Sequence, residues 1–140
     1  MSDECVKWII EEFNQYNQFS EISIEKIVDI EEGYAYKLVE FLNSKNLKSS
    51  QLTKIFEVIK KIERSDKSWN DKKIAFYLLK PRLAMGVGRS LIPIELYDVI
   101  ITAMGLMDVS DTESENLKNF EYFVYFFESI MAYNKFLGGQ

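Results

Sequence analysis

Apolar residues recur at three- and four-residue spacing along almost the whole chain, and little interrupts them. Val6, Ile9, Ile10 and Phe13 imply a first helix, with Asp3 placed to cap it. Ser23 is the N-cap expected for a longer second helix that carries Ile27, Ile30, Tyr34, Leu38 and Phe41 on one face. Gly33 falls in its middle, at a cost of about 1 kcal/mol relative to Ala. A turn follows at Asn43-Ser44-Lys45-Asn46. Leu52, Ile55, Phe56, Ile59 and Ile62 form a narrow stripe on a third helix, opening at Ser49 or Ser50 and running to about Arg64. A fourth starts near Asn70, buries Ile74, Leu78 and Leu79, and reaches Pro81. Proline lacks the N–H and crowds the preceding turn, so a kink is expected there before the helix continues to Met85. Gly86 and Gly88 then favour an exit. Pro93 suits the first turn of a fifth helix that turns Ile94, Tyr97, Ile101 and Met104 inward. The last helix begins near Glu113 or Ser114, carries Leu117, Phe120, Phe123, Val124, Phe127, Ile130 and Met131, and ends at Gly138-Gly139.

No alternating segment is bounded by hairpin turns, and neither an internal repeat nor a linker is visible. The chain has only two prolines and six glycines to break helices. The expectation is all-α: one compact bundle of five or six helices in a single domain over 1–140, with residues 1–47 supplying N-terminal helices. Core material is ample at 47% apolar residues, so a chain of this size needs neither disulfides nor metals to fold.

The residues that are missing narrow the chemistry. There is no histidine, which removes the usual general base, the commonest metal ligand and every histidine-based catalytic set. Cys5 is the only cysteine, so no internal disulfide and no multi-cysteine zinc site can form. The carboxylate pairs Glu11-Glu12 and Glu31-Glu32 are consecutive and point apart on a helix. Gly86-Val87-Gly88-Arg89-Ser90 superficially resembles a phosphate loop but lacks the lysine and the glycine spacing, and it follows a helix rather than a strand. Close packing and helix termination explain it better. No enzymatic activity, metal or cofactor is expected. The acidic start Met1-Ser2-Asp3-Glu4 is unlike a signal peptide, and no run of about 18 apolar residues is present. A soluble cytoplasmic protein without a membrane partner follows.

A net charge of −5 argues against nucleic-acid binding until its distribution is considered. Residues 1–48 hold five bases against ten acids, and residues 93–140 hold two against eight. Between them, residues 49–92 hold ten bases against four acids, a net of +6. Lys54 and Lys61 are seven apart on the third helix, Lys60 and Arg64 form a second row, and the next helix adds Lys72, Lys73, Lys80 and Arg82, with Arg89 beyond. Adjacent helices usually pack antiparallel, so these charges can merge into a strip that follows phosphates in a salt-sensitive manner. A solvated lysine-rich surface and an acidic protein partner are the competing readings. The aromatic run from Phe120 to Phe127 is read as core, because Phe120, Phe123 and Phe127 share a face with Leu117 and Ile130. Tyr122 and Tyr125 point elsewhere and are available to an interface.

Three segments then carry a resemblance: Ser50-Gln51-Leu52-Thr53-Lys54-Ile55-Phe56, the stretch from Leu79 to Arg89 (LKPRLAMGVGR), and the closing stretch from Tyr125 to Gly139 (YFFESIMAYNKFLGG). In order and spacing, residues 48–140 resemble the small subunit of the type III-A (Csm) CRISPR interference complex. The resemblance implies a non-catalytic helical subunit for antiviral defense, stacked on copies of itself inside an RNA-guided filament. Its partners would be guide RNA and target RNA, through their sugar-phosphate backbones, together with the backbone subunits and the large polymerase-like subunit of the complex. RNA and DNA cleavage would reside in those other subunits. The RNA-binding positions implied here are Lys54, Lys80, Arg82 and Arg89, with Lys60, Lys61 and Lys135 added. Thr53 stands where the family commonly has arginine, Asn134 where it has histidine and Met85 where it has an aromatic. The alternative function is a purely protein–protein helical adapter whose basic strip docks an acidic partner.

Overall fold

The computed structural model describes residues 4–45 and 47–138, and every regular element among them is helical. In chain order these are α1 (Glu4–Phe13), a 3-10 turn (Phe19–Glu21), α2 (Ile24–Val28), α3 (Tyr34–Leu42), α4 (Ser49–Arg64), α5 (Trp69–Tyr77), α6 (Leu79–Gly88), α7 (Ile94–Met104) and α8 (Glu113–Phe136). The expected Asp3 cap, the Asn46 end of the predicted turn and Gly139 of the predicted helix stop lie outside the described residues.

The axis of the fold is α8, 24 residues and therefore about 36 Å long. It buries Phe120, Phe123, Val124, Phe126, Phe127 and Ile130, so the aromatic run is core, as its periodicity predicts. Phe126, which falls off the predicted face, is buried too, because α8 is covered on more than one side. The 3-10 turn and α2, α3, α4 and α5 all pack against it. Phe13 of α1 meets Phe19, Tyr34 and Phe126 edge-on with ring centroids 5.3–5.5 Å apart, and Phe76 of α5 meets Phe120 and Phe123 in the same way. Such pairs contribute about 0.5–1.5 kcal/mol each beyond their buried area. Two buried amides lock the connections to this axis. Asn119 donates to the Met107 carbonyl at 3.0 Å and accepts from the Ser20 N–H at 2.9 Å, and Asn116 accepts from the Ser110 N–H at 3.0 Å. Thr112 caps the start of α8 by accepting from the Glu115 N–H, and Gly138 beyond its end takes a left-handed φ of 85°.

The five or six expected helices are eight among the described residues because two of them divide. The second splits into α2 and α3. Ser23 does cap α2, accepting from the Lys26 N–H at 3.2 Å. Gly33, however, is the N-cap of α3 rather than a weak point inside one helix. A side chain there would start 2.5 Å from the Asp29 carbonyl oxygen, so only glycine lets the chain double back at this point. The break turns Ile30 outward, leaving it 50% exposed rather than in the core.

The fourth divides at Leu78, one turn before Pro81. Proline has no N–H to give the Tyr77 carbonyl, and its ring crowds that carbonyl, so the rod kinks and then continues as α6. The expected burial of Ile74 and Leu78 does not hold: they are 62% and 63% exposed, while Leu79 is buried. Residues 74–79 are apolar all round, so spacing alone does not select a face. Burying the larger Trp69 and Phe76 rings, together with Leu79 and Leu83, sets the rotation and turns Ile74 and Leu78 to the opposite side. In α7 the inward line is likewise displaced by about a residue. Leu96, Val99, Ile100, Ala103 and Met104 are buried, Tyr97 and Ile101 are partly buried, and Ile94 is exposed.

Candidate nucleic-acid interface

The apolar stripe of α4 (Leu52, Ile55, Ile59 and Ile62) is buried against the bundle, so the helix stands as a ridge with a cleft on either side. Its rotation of about 100° per residue sends Ser49, Thr53 and Phe56 toward α8, and Gln51 and Lys54 toward α6. The α8 cleft, about 400 Å³, is largely apolar, with Leu52, Phe56 and Met131 in its wall and Asn134 and Lys135 at its α8 side. Its neutral polar groups already bond to one another. Asn134 donates to the Ser49 hydroxyl at 2.9 Å, and the Thr53 hydroxyl donates to the Ser49 carbonyl at 3.0 Å.

The α6 cleft is about 510 Å³ and has a different character. Arg82 on α6 and Arg89 at its C-cap are seven apart and line the cleft with Met85 and with Leu78 at the N-cap, while Lys54 lines it from α4. Gly86 sits on the buried side of α6. A Cβ there would lie 3.2 Å from the Ile92 side chain and 3.8 Å from the Gln51 amide nitrogen, so glycine permits the close approach of α6 to this wall. The connection beyond it is tied down by Leu91 N–H to the Gly86 carbonyl at 2.9 Å and Lys48 N–H to the Leu91 carbonyl at 3.3 Å. Gly86 thus packs closely, as expected of this segment, whereas Gly88 faces open space.

Lys54 of α4 is therefore brought together with Arg82 of α6 and Arg89 at its C-cap, across the whole of α5 in sequence. Each is exposed, and the ion pairs among the described residues (Lys45–Glu95, Lys60–Glu63 and Lys73–Asp108) include none of them. The other expected positions separate from this group. Lys61 is exposed two turns along α4 from Lys54. Lys80 does not line the cleft, and its ammonium lies 5.3 Å from the centre of the Tyr77 ring. Lys60 is held by Glu63 at 2.6 Å and lies over Phe56 at 5.9 Å. Lys135 stands in the α8 cleft, across the α4 ridge from the other three.

Two further cations of the basic block are occupied with holding the fold. Lys72 donates to the Glu63 carbonyl at 3.0 Å. Lys73 reaches Asp108 at 3.3 Å, and the same carboxylate accepts from the Trp69 indole N–H at 2.8 Å, the Tyr77 hydroxyl at 3.2 Å and the Asn116 amide at 3.3 Å. The Trp69 hydrogen bond foremost, with Lys73 and Tyr77 behind it, holds the Asp108 carboxyl below the usual carboxylate range. Burial pushes the Tyr77 hydroxyl up, and the Asp108 charge adds to it.

Residue-by-residue reading of the sequence missed the apolar side of the α6 cleft, formed by Leu78, Pro81 and Met85. A signal was present. Ile74, Leu78, Pro81 and Met85 follow i, i+4, i+7, i+11 spacing on a rod whose other side already carries Trp69, Phe76, Leu79 and Leu83. A helix apolar on two opposite faces has more to cover than one core. Among the described residues no cluster of acidic or cysteine side chains is arranged to hold a metal ion, and no helix is long and apolar enough to cross a membrane.

A family model described as Csm2 Type III-A matches residues 22–140. The match begins at the end of the 3-10 turn, well before residue 48, and so takes in α2 and α3. No curated protein and no solved structure matches the chain.

Proposed function

The chain belongs to the Csm2 type III-A family, the small subunit of the type III-A Csm complex, and on that premise we propose that it is a non-catalytic subunit that stacks on copies of itself and contacts RNA along the sugar-phosphate backbone. The observation that carries this reading is the convergence of Lys54, Arg82 and Arg89 on one cleft with no carboxylate paired to any of them among the described residues. Cations left unpaired at a concave surface favour a polyanion, and phosphate contacts position a strand without reading its sequence. Sequence is then read by base pairing to the guide. Lys61 and Lys135 extend the cationic surface along and across α4, and Lys80 contributes from the neighbouring face of α6. Lys60 contributes least, since Glu63 already compensates its charge. The acidic termini supply the opposite sign needed where the subunit meets copies of itself or basic RNA-holding neighbours.

The test is a Lys54→Ala, Arg82→Ala, Arg89→Ala triple variant, assembled with the other subunits of the complex. Affinity for target RNA is measured over a range of salt concentrations. The expected result is weaker binding and a salt dependence shallower by about 2 per copy in the slope of log K against log salt, from three contacts at about 0.7 each on single-stranded RNA. Unchanged affinity and slope would remove these residues from the interface and leave the acidic protein partner as the occupant of the strip.

A further inference from the structure

A backbone-reading site needs cations and nothing more, yet one side of the α6 cleft is apolar. Leu78 and Met85 are 63% and 56% exposed, and Pro81 stands between them. Scattered exposed apolar residues need no explanation, but these are aligned at i, i+3 and i+7. They also share one concave space with Lys54, Arg82 and Arg89. Two chemistries meet there: cations for a negative charge and an aliphatic wall for a flat, poorly hydrated face. Both are offered by a single nucleotide whose base has left its stack.

We propose that the cleft between α4 and α6 holds one unpaired nucleotide, its phosphate on Lys54, Arg82 and Arg89 and its base against Leu78, Pro81 and Met85. The space, about 510 Å³, lies in the range of small-ligand clefts, about 300–1,000 Å³. A docked helix, about 10–12 Å across, requires a longer groove. Leucine, methionine and proline are side chains that other nucleic-acid-binding proteins place against unstacked base faces. Arg82 and Arg89 add planar guanidinium faces that stack on bases as well as bind phosphates. A base in this cleft is withdrawn from pairing, so the site distinguishes unpaired from duplex RNA, which phosphate contacts alone do not. The inference rests on the RNA reading of the same cleft and adds to it the base and the unpaired state.

The test uses the assembled complex and a short target RNA, unmodified or carrying one abasic nucleotide at each position in turn. A Leu78→Ser, Met85→Ser variant leaves the fold intact, since both side chains are exposed. It is expected to weaken binding of unmodified RNA about tenfold for each copy in the complex, in line with the loss of one base contact per cleft. Its salt slope should equal that of the wild type. At one register position the abasic RNA should weaken the wild type by a similar factor and the variant hardly further. If the serine variant binds as the wild type does while the Lys54, Arg82, Arg89 triple variant loses its salt slope, the base contact is wrong and the phosphate reading survives. If neither variant changes RNA binding, both readings fall together. A serine variant that folds, judged by circular dichroism, but no longer joins the complex would make the wall a protein interface and overturn the nucleotide.

Discussion

The basic block of the sequence has two fates in the folded chain, and the contrast separates charges tied into the packing from charges left at a cleft. At one end, Lys60, Lys72 and Lys73 are bound to Glu63, to a carbonyl and to Asp108, and all three are partly buried. At the other, Lys54, Arg82 and Arg89 are exposed around a cleft and make no ion pair with any described residue. In sequence the bound set falls between members of the other: Lys60 is six residues from Lys54, and Lys73 is nine from Arg82. Only partner geometry tells them apart. Net charge by segment marks a cationic region; the pairing of each cation separates the charges tied into the fold from those left facing the cleft.

The largest effect that can test the contrast lies at the structural end. Replacing Asp108 with Ala strips four donors of their acceptor, one of them the indole N–H of the buried Trp69. A loss of about 2–3 kcal/mol in unfolding free energy is expected, with the salt dependence of RNA binding unaltered. A changed salt slope would show that this end also faces RNA. The same carboxylate gives a pH signature. Its folded pKa lies below its unfolded value of about 3.9, so its added stability is complete at neutral pH and is lost as pH falls through the folded pKa. The gap in melting temperature between wild type and Asp108→Asn should therefore be widest near neutrality and close below about pH 4.

The next effect lies at the cleft and should run the opposite way. The Lys54, Arg82, Arg89 triple variant is expected to lose RNA affinity and salt slope as described above. Its unfolding free energy should stay within about 0.5 kcal/mol of the wild type, because all three side chains are exposed and make no ion pair with a described residue. A larger destabilisation would mean that these cations also hold α6 against α4. The smallest effect is expected from Lys60→Ala, which removes an i, i+3 pair with Glu63 on the surface of α4. It should change stability by about 0.2–0.5 kcal/mol and leave RNA binding nearly as it was. A strong binding defect in this variant would return Lys60 to the interface despite its pairing.

The legibility of the fold varied with how sharply each segment divides its faces. In α4 a four-residue apolar stripe lies among charged neighbours, and sequence and structure agree on Leu52, Ile55, Ile59 and Ile62. In α8 the heavy aromatic run marked the core, and only Phe126 was assigned no place in it. Where the chain is apolar on every side, as in residues 74–79, periodicity has no preferred phase, and Ile74 and Leu78 were expected in the interior they do not occupy. At Gly33 the error had another source. A glycine in a helical pattern reads as a weak point, but here the nearby Asp29 backbone leaves no space for a side chain. The candidate site divides in the same manner. Lys54, Arg82 and Arg89 were all recognisable as basic positions, but nothing in their spacing distinguished them from Lys60 or Lys80.

By itself the sequence determined that this chain is helical, since its apolar spacing recurs at the helical period with few breakers. It also placed the cationic charge in the middle third and excluded histidine-based chemistry. The tertiary structure alone decided which cations are spent on Glu63 and Asp108 and which are left facing the cleft, and that Leu78 and Met85 stand beside them. The reason is that periodicity fixes a residue's position around its own helix, whereas pairing and exposure depend on which other helix packs there. That packing follows from burying Trp69, Phe76 and the aromatic face of α8 together.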